Sequence, residues 1–289
     1  MSSIDVSAPA RAGIADYRFI KPLGTGNNGV FYLAHRPPRL PVSDDLVAVK
    51  VLSGASSQDT FRRATRELTA FAAVSSPYLV TLYDAGQEGS DLYYSMEYVA
   101  EGSLAHPAER PPGDVVLAAV ARAARAAHAL HEAGMAHNDI KPGNVLLHPA
   151  GGKLADLGLS RVLRPGLTIT GLGSSASIEY LDPALLRGDP PSRATDIYAL
   201  GATLHRAVSG QGLYGELPAD NPIVAMRRVM SRAPEPSASL DPALRDIITG
   251  AISPDLAARP ASAAVFAEQV EGYQRQAGAT PPSPAPPRP

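Results

Sequence analysis

None of the 289 residues is cysteine. That absence excludes disulfides and thiolate metal sites, and it leaves the redox compartment open. Charge is sparse and balanced: Asp, Glu, Lys and Arg make up 19% of the chain and the formal net charge is −2. Such a balance gives no electrostatic basis for binding nucleic acid or an anionic membrane. The seven histidines show no His-x3-His or similar ligand spacing, so a metal held by imidazoles is not expected. No apolar run reaches the roughly 18 residues of a membrane span. The opening MSSIDVSAPARAG lacks the apolar stretch of a signal peptide. These absences lead to the expectation of a soluble, cytoplasmic protein. A hydrophobic content of 45% suffices for one large domain or two packed lobes.

Residues 1–15 are small and polar without periodicity and read as a flexible lead. The end of the chain, AGATPPSPAPPRP from Ala277, favours an extended polyproline-type tail. Such a tail serves as a docking segment, a linker or simply a solvated end. Between the two ends the pattern changes once. Residues 17–99 hold short β-rich runs: YRFIKPL, GVFYLAH, LVAVKVL, LVTLYDAG and LYYSMEYV. One helical segment, 59–73, interrupts them with Phe61, Leu68 and Phe71 on one face. From Gly113 onward the pattern is helical over 114–133, 193–209, 221–231, 241–252 and 262–276. Strands followed by helices predict an α+β, bilobal fold, with a small sheet lobe at 16–99 and a larger helical lobe at 100–276. A cleft between lobes is the default ligand site in such a fold.

Four stretches carry polar chemistry. LGTGNNGVFYLA places Gly24, Gly26 and Gly29 as GxGxxG, which lets peptide N–H groups approach phosphate oxygens. The same glycines also suit a flexible hairpin turn. A dinucleotide fold needs a helix right after the last glycine, whereas Val30-Phe31-Tyr32-Leu33 continues as a strand. In LVAVKVL, alternation sets Val47, Val49 and Val51 on one face and Ala48, Lys50 and Leu52 on the other. Lys50 is then either an edge-strand lysine snorkelling to water or an anion ligand paired with an acid such as Glu67. In MAHNDIKPGNVLL, five polar side chains (His137, Asn138, Asp139, Lys141 and Asn144) fall within eight residues. A carboxylate there aligns or deprotonates a hydroxyl, an amide oxygen suits a hard cation, and a lysine neutralises phosphate. In KLADLGLSR, Asp156 ends an apolar run, as a turn residue or as a carboxylate for Mg2+. Phosphoryl transfer requires little more than this set, because positioning and charge neutralisation do most of the work.

With these motifs in this order, the chain resembles the eukaryotic-type (Hanks-type) Ser/Thr protein kinases, and most closely their bacterial branch, over residues 16–275. The resemblance implies ATP and Mg2+ or Mn2+ as cofactors and a Ser/Thr-bearing protein as partner. It makes Gly24-Thr25-Gly26-Asn27-Asn28-Gly29 the phosphate lid and Lys50 the ligand of the α and β phosphates, paired with Glu67. Met96 becomes the gatekeeper and Glu97 to Val99 the hinge facing adenine, with Phe31, Ala48 and Leu146 completing the nucleotide contacts. Asp139 matches the catalytic base, Lys141 the lysine typical of the Ser/Thr class, and Asn144 and Asp156 the metal ligands. SIEYLDPA, 177–184, resembles the close of the activation segment. DIYALG, 196–201, resembles the helix whose aspartate braces the catalytic loop, and Arg259 the late arginine. An internal spine of Phe71, Leu82, His137 and Leu157 is implied as well.

The departures from the family pattern also have consequences. HND stands for HRD, so Asn138 supplies no arginine to grip a phosphorylated loop carrying Thr168, Thr170, Ser174 or Ser175. Phe31 replaces a valine above adenine, and Asn28 an apolar lid tip. DPA replaces APE, so Ala184 cannot pair with Arg259, which leaves Asp182 as the available acid. Two further readings share the fold: a nucleotide-binding pseudokinase scaffold, and a small-molecule phosphotransferase with a related H-x-D-x4-N loop. Lys141, SIEYLDPA and DIYALG speak against the second of these.

Overall fold

Strands come first because residues 11–97 alternate short β-branched and aromatic runs with turn residues. The computed structural model of the chain describes residues 11–26, 29–52, 58–149, 151–156 and 175–278. Asn27, Asn28, Leu157, Thr168, Thr170, Ser174, the first ten residues and the Pro-rich segment from 279 lie outside the described residues. The strands are β1 (Gly13–Ile14), β2 (Tyr17–Gly26), β3 (Gly29–His35), β4 (Leu46–Leu52), β5 (Leu82–Glu88) and β6 (Asp91–Glu97). They form one antiparallel sheet in the order β1-β2-β3-β4-β6-β5. Pro22 sits in β2 at a register irregularity between Pro22 and Gly24, where a missing N–H costs no ladder bond. Helix α1 (Gln58–Ala72) interrupts the strands, within one residue of the expected 59–73.

Val47, Val49 and Val51 join Ile14, Tyr17, Tyr32, Ala34, Leu40 and Tyr93 in one apolar cluster, so the predicted alternation of β4 is present. Its opposite face, Ala48, Lys50 and Leu52, is buried too. β4 lies between β3 and β6 and is covered on both sides, which removes the edge-strand reading of Lys50. The cluster is closed at its polar rim by the Tyr17 hydroxyl, within 2.8 Å of Ser95 Oγ and donating to Asp84 at 3.0 Å. Phe19 and Tyr32 stack with centroids 4.1 Å apart, pinning β2 on β3.

The second compact unit begins earlier than the pattern change suggests, because Val74–Leu79 belong to it. The cause is a pair of long-range contacts: Leu154 N–H donates to Tyr78 O at 2.8 Å and Arg122 donates to the Tyr78 hydroxyl at 2.7 Å. This unit holds α2 (Gly113–Glu132), the two-stranded ladder β7 (Val145–Leu146) and β8 (Lys153–Leu154), and two short helices, α3 (Ser175–Ile178) and α4 (Pro183–Leu186). It then continues through α5 (Arg193–Ser209), α6 (Pro222–Ser231), α7 (Pro242–Ala251) and α8 (Ala263–Gln276). α2 is alanine-rich and almost wholly buried, which permits close packing against α5 and α8. Ser192 and Thr195 form a reciprocal capping box that starts α5, and Gly210 ends it at φ 70°. Asn221, Asp241 and Ser262 cap the three later helices. No described helix is long and apolar enough to cross a membrane.

Gly29, the last glycine of the GxGxxG stretch, is required by packing: a Cβ there would lie 2.3 Å from the Val51 carbonyl oxygen on β4. Gly29→Ala is expected to force β3 off β4 and to cost about 1–3 kcal/mol. Urea unfolding measures it, and an unchanged midpoint would show that the strand pair absorbs the methyl group.

Candidate active site

In the sheet unit, strand register gathers most of the expected nucleotide-side residues. Phe31 lies opposite Lys50 across β3 and β4, Leu33 opposite Ala48, and Ala48 opposite Met96 across β4 and β6. Gly24, Thr25 and Gly26 close β2, with Gly26 paired to Gly29 at the start of β3. Lys50 is 3% exposed, and its ammonium nitrogen lies 4.7 Å from the Phe31 ring centroid. No ion pair between Lys50 and Glu67 is present among the described residues, and Lys50 makes a further interaction besides its contact with Phe31. Glu67 is half-buried on α1, so closing the pair is a matter of where that helix sits. Glu97 is buried; its N–H donates to Thr81 O at 3.0 Å and its carboxylate accepts from Thr81 N–H at 2.7 Å. The Glu97 N–H is thus taken up by the sheet. Of the implied spine, Phe71 is buried and Leu82 half-buried in this unit.

In the helical unit, the stretch after α2 forms a tight loop ending in a 3-10 turn, Pro142–Asn144. One buried carboxylate holds it. Asp196, in the first turn of α5, accepts the backbone N–H of His137 at 2.7 Å and of Asn138 at 2.9 Å, and lies 2.8 Å from His131 Nε2. Asn138 has a left-handed backbone, φ 67°, which asparagine tolerates better than most residues. Its side-chain NH2 donates to Ala136 O at 3.0 Å and is taken up by the turn, while its buried Oδ1 has no hydrogen-bond partner among the described residues. His137 is fully buried, and that burial lowers its pKa and keeps the ring neutral against the pull of Asp196, Asp139 and Asp156.

Asp139 emerges from this brace with both carboxylate oxygens within reach of the Lys141 ammonium, at 3.0 and 2.9 Å. Asn144 donates to Asp139 O at 2.7 Å and to its Oδ2 at 3.0 Å, which reserves the amide oxygen of Asn144 for another partner. Ala155 N–H donates to Asn144 O at 2.8 Å and so carries Asp156 to the same loop. Asp156 is buried, with a left-handed φ of 62°. Burial raises the Asp139 pKa, with the neighbouring Asp156 adding to the rise and Lys141 opposing it. Among the described residues no cluster of three or more His, Cys, Asp or Glu side chains is arranged to hold a metal. One carboxylate and one amide oxygen, Asp156 and Asn144, fit a hard cation that takes its remaining ligands from phosphate and water. Leu146 sits on β7, paired with Lys153, and Val99 is buried just after the sheet unit ends.

Two side chains of this site have no individual role in the sequence reading. His131 supplies the third contact to Asp196, and its only signal is a histidine in the last turn of an alanine-rich helix. Ser177, nearly buried on α3, places its hydroxyl 3.5 Å from Lys141 Nζ and ties the 177–184 segment to the loop. The segment's far end is fixed by Asp182. Its carboxylate accepts from Arg259 Nη1 at 2.5 Å and caps α4 through Ala184 N–H at 2.9 Å. Arg259 also donates to Ala194 O and Ser253 O, both at 2.8 Å, and lies over the Tyr198 ring. The ion pair that Ala184 cannot make is therefore made two residues earlier. Ala184, Asp182, Tyr198 and Arg259 line a cavity of about 190 Å3.

A family profile for the protein kinase domain matches residues 17–270. Serine/threonine-protein kinase PknK of Mycobacterium tuberculosis is 33% identical over 279 residues, which are 93% of this chain and 25% of that protein. PknJ of the same organism is 34% identical over 292 residues, 94% of this chain and 48% of that protein. The chain thus spans between a quarter and a half of these curated relatives. The crystal structure of the M. tuberculosis PknI kinase domain shares the fold, with a TM-score of 0.64, 25% identity, and coverage of 92% of this chain and 99% of that one.

Asp182→Ala strips a buried arginine of its counter-charge and is expected to cost about 3–5 kcal/mol. Adding Ala184→Glu in that background is expected to recover part of the loss, because the cavity beside Ala184 gives the longer acid room. Denaturant unfolding of the single and double variants measures both. Equal stability of the two would mean that a carboxylate at 184 does not reach Arg259.

Proposed function

Because the chain belongs to the protein kinase domain family, and within it to the bacterial Hanks-type Ser/Thr kinases, we propose that it transfers the γ-phosphate of ATP to Ser and Thr hydroxyls of protein substrates, itself included. The observation that carries this reading is the loop geometry: Asp139 oriented by Lys141 and Asn144 on a backbone braced by Asp196. In that role the Asp139 carboxylate aligns the acceptor hydroxyl and takes its proton as the new oxygen–phosphorus bond forms and the bond to ADP breaks. Lys141, shared between Asp139 and the 177–184 segment, balances charge beside the transferred group. In the sheet unit, Lys50 is the ligand of the non-transferred phosphates, with Ala48 and Met96 beside it in the strand register on the adenine side; in the helical unit, Val99 and Leu146 are the apolar residues assigned to the base. Asn144 and Asp156 hold the divalent ion, Mg2+ or Mn2+, which when bound neutralises phosphate charge.

Asn138 supports a further part of the reading, activity that does not wait on phosphorylation of the activation segment. Its side chain is engaged with Ala136 O and carries no charge to recruit a phosphate. Alanine at Thr168, Thr170, Ser174 and Ser175 together is expected to leave the rate on a peptide acceptor within about twofold; a drop of ten-fold or more would overturn this part.

Phosphate transfer from labelled ATP to a basic protein acceptor tests the main reading, with Lys50→Met and Asp139→Asn alongside. Transfer that both substitutions abolish is the expected result. ATP-dependent thermal stabilisation without transfer, lost in Lys50→Met, would instead mark a nucleotide-binding scaffold. The pH profile adds a check on Asp139. The base must be unprotonated and its pKa is raised by burial, so activity is retained on the alkaline side and lost as pH falls, from above the usual carboxylate range. Lys141→Met removes the opposing cation and is expected to move the acid limb to higher pH.

A further inference from the structure

Phe31 and Lys50 face each other across neighbouring strands, and their contact is of a kind an aliphatic side chain at position 31 cannot make. The Lys50 nitrogen is 4.7 Å from the ring centroid, inside the roughly 6 Å over which an aromatic face attracts a cation. The cation of the pair is withdrawn from water, since Lys50 is 3% exposed while Phe31 is half-buried, and such contacts are stronger when desolvated. Both strands are held firmly. Val49 and Val51 anchor β4 in the apolar cluster on either side of Lys50, and Tyr32, next to Phe31, stacks on Phe19. The backbone that carries the ring is therefore fixed in the sheet. Glu67, the acid expected to orient the same lysine, is carried on α1 and forms no ion pair with it among the described residues; the ring shares Lys50 with a further interaction that the lysine makes.

We infer that Phe31 is a positioning residue for Lys50: its ring face orients the ammonium group ahead of nucleotide binding, independently of where α1 carries Glu67. The inference rests on the reading that Lys50 meets nucleotide phosphates. An unheld lysine gives up its rotamer freedom when phosphate arrives, and a pre-oriented one has already done so. Two roles for the ring thus separate cleanly. Packing against adenine acts on every adenine-bearing ligand alike, whereas orienting Lys50 acts only on ligands that carry phosphate.

The test is calorimetric binding of ATP and of adenosine to the full chain with phenylalanine, leucine, tyrosine or 3,4,5-trifluorophenylalanine at position 31. Fluorination keeps the ring's shape and drains its negative face. Phe31→Leu and the fluorinated ring are expected to weaken ATP about fivefold and to leave adenosine unchanged. Phe31→Tyr is expected to stay near the parent. Equal weakening of ATP and adenosine would reduce the ring to an adenine wall, and tighter ATP binding in Phe31→Leu would make it a competitor of phosphate; either overturns the inference. A urea-unfolding cycle of Phe31→Leu and Lys50→Met needs no nucleotide, and the double variant is expected to lose less than the sum of the singles. Strict additivity overturns the inference even in an active kinase. If the parent binds neither ligand, the kinase reading falls with the positioning role, and the cycle alone then decides whether the ring holds the ammonium.

Discussion

A single carboxylate buried beneath the loop, that of Asp196, sets the position of everything the helical unit contributes to chemistry. It receives two consecutive backbone N–H groups and lies against an imidazole, and α5 presents it from a capped first turn deep in the unit. A buried carboxylate is costly unless its oxygens are occupied, and here they are occupied by the loop itself. The cost of burying the charge and the order of residues 137–139 are thus two aspects of the same interaction. Asp139 points where it does because the two residues before it are bound, and Asn144 then crosses the loop to bind Asp139. Shifting this carboxylate would move the base, its lysine and the amide ligand together.

Backbone conformation adds a second layer of constraint. Asn138, next to the candidate base, and Asp156, a candidate metal ligand, both have a left-handed backbone. This conformation costs most side chains free energy, and asparagine and aspartate are among the few non-glycine residues that reach it with modest penalty. The change from arginine to asparagine in the HRD position therefore has two effects at one residue. It removes a cation from the surface of the loop, and it relaxes the turn on which Asp139 depends.

Much of this was legible in the residues. Element types and most helix limits follow from apolar spacing, as with 193–209, which matches α5 residue for residue. Asp139, Lys141 and Asn144 are close in sequence, and local spacing is enough to bring them together. What escaped was non-local. His131 and Asp196 are separated by 65 positions, and nothing in an alanine-rich helix marks one histidine as a partner for a distant acid. The assignment of Val74–Leu79 to the second unit depends on a hydrogen bond to Leu154, far along the chain. The state of Lys50 was out of reach for a different reason. The same lysine, glutamate and phenylalanine permit more than one pairing, and only strand register and helix position decide which is formed.

The displaced ion pair of Asp182 and Arg259 also couples what positions 182 and 184 can hold. One buried arginine accepts one acid well. A second acid beside it would bring two like charges together, and no acid would leave the guanidinium uncompensated. Any route between the DPA arrangement and the APE arrangement that changes one residue at a time passes through one of those two states. Because Asp182 also caps α4, the first of them is the milder, so glutamate at 184 is the cheaper first step back toward the common pattern. Positions 182 and 184 thus behave as one unit, exchanged together more easily than one at a time.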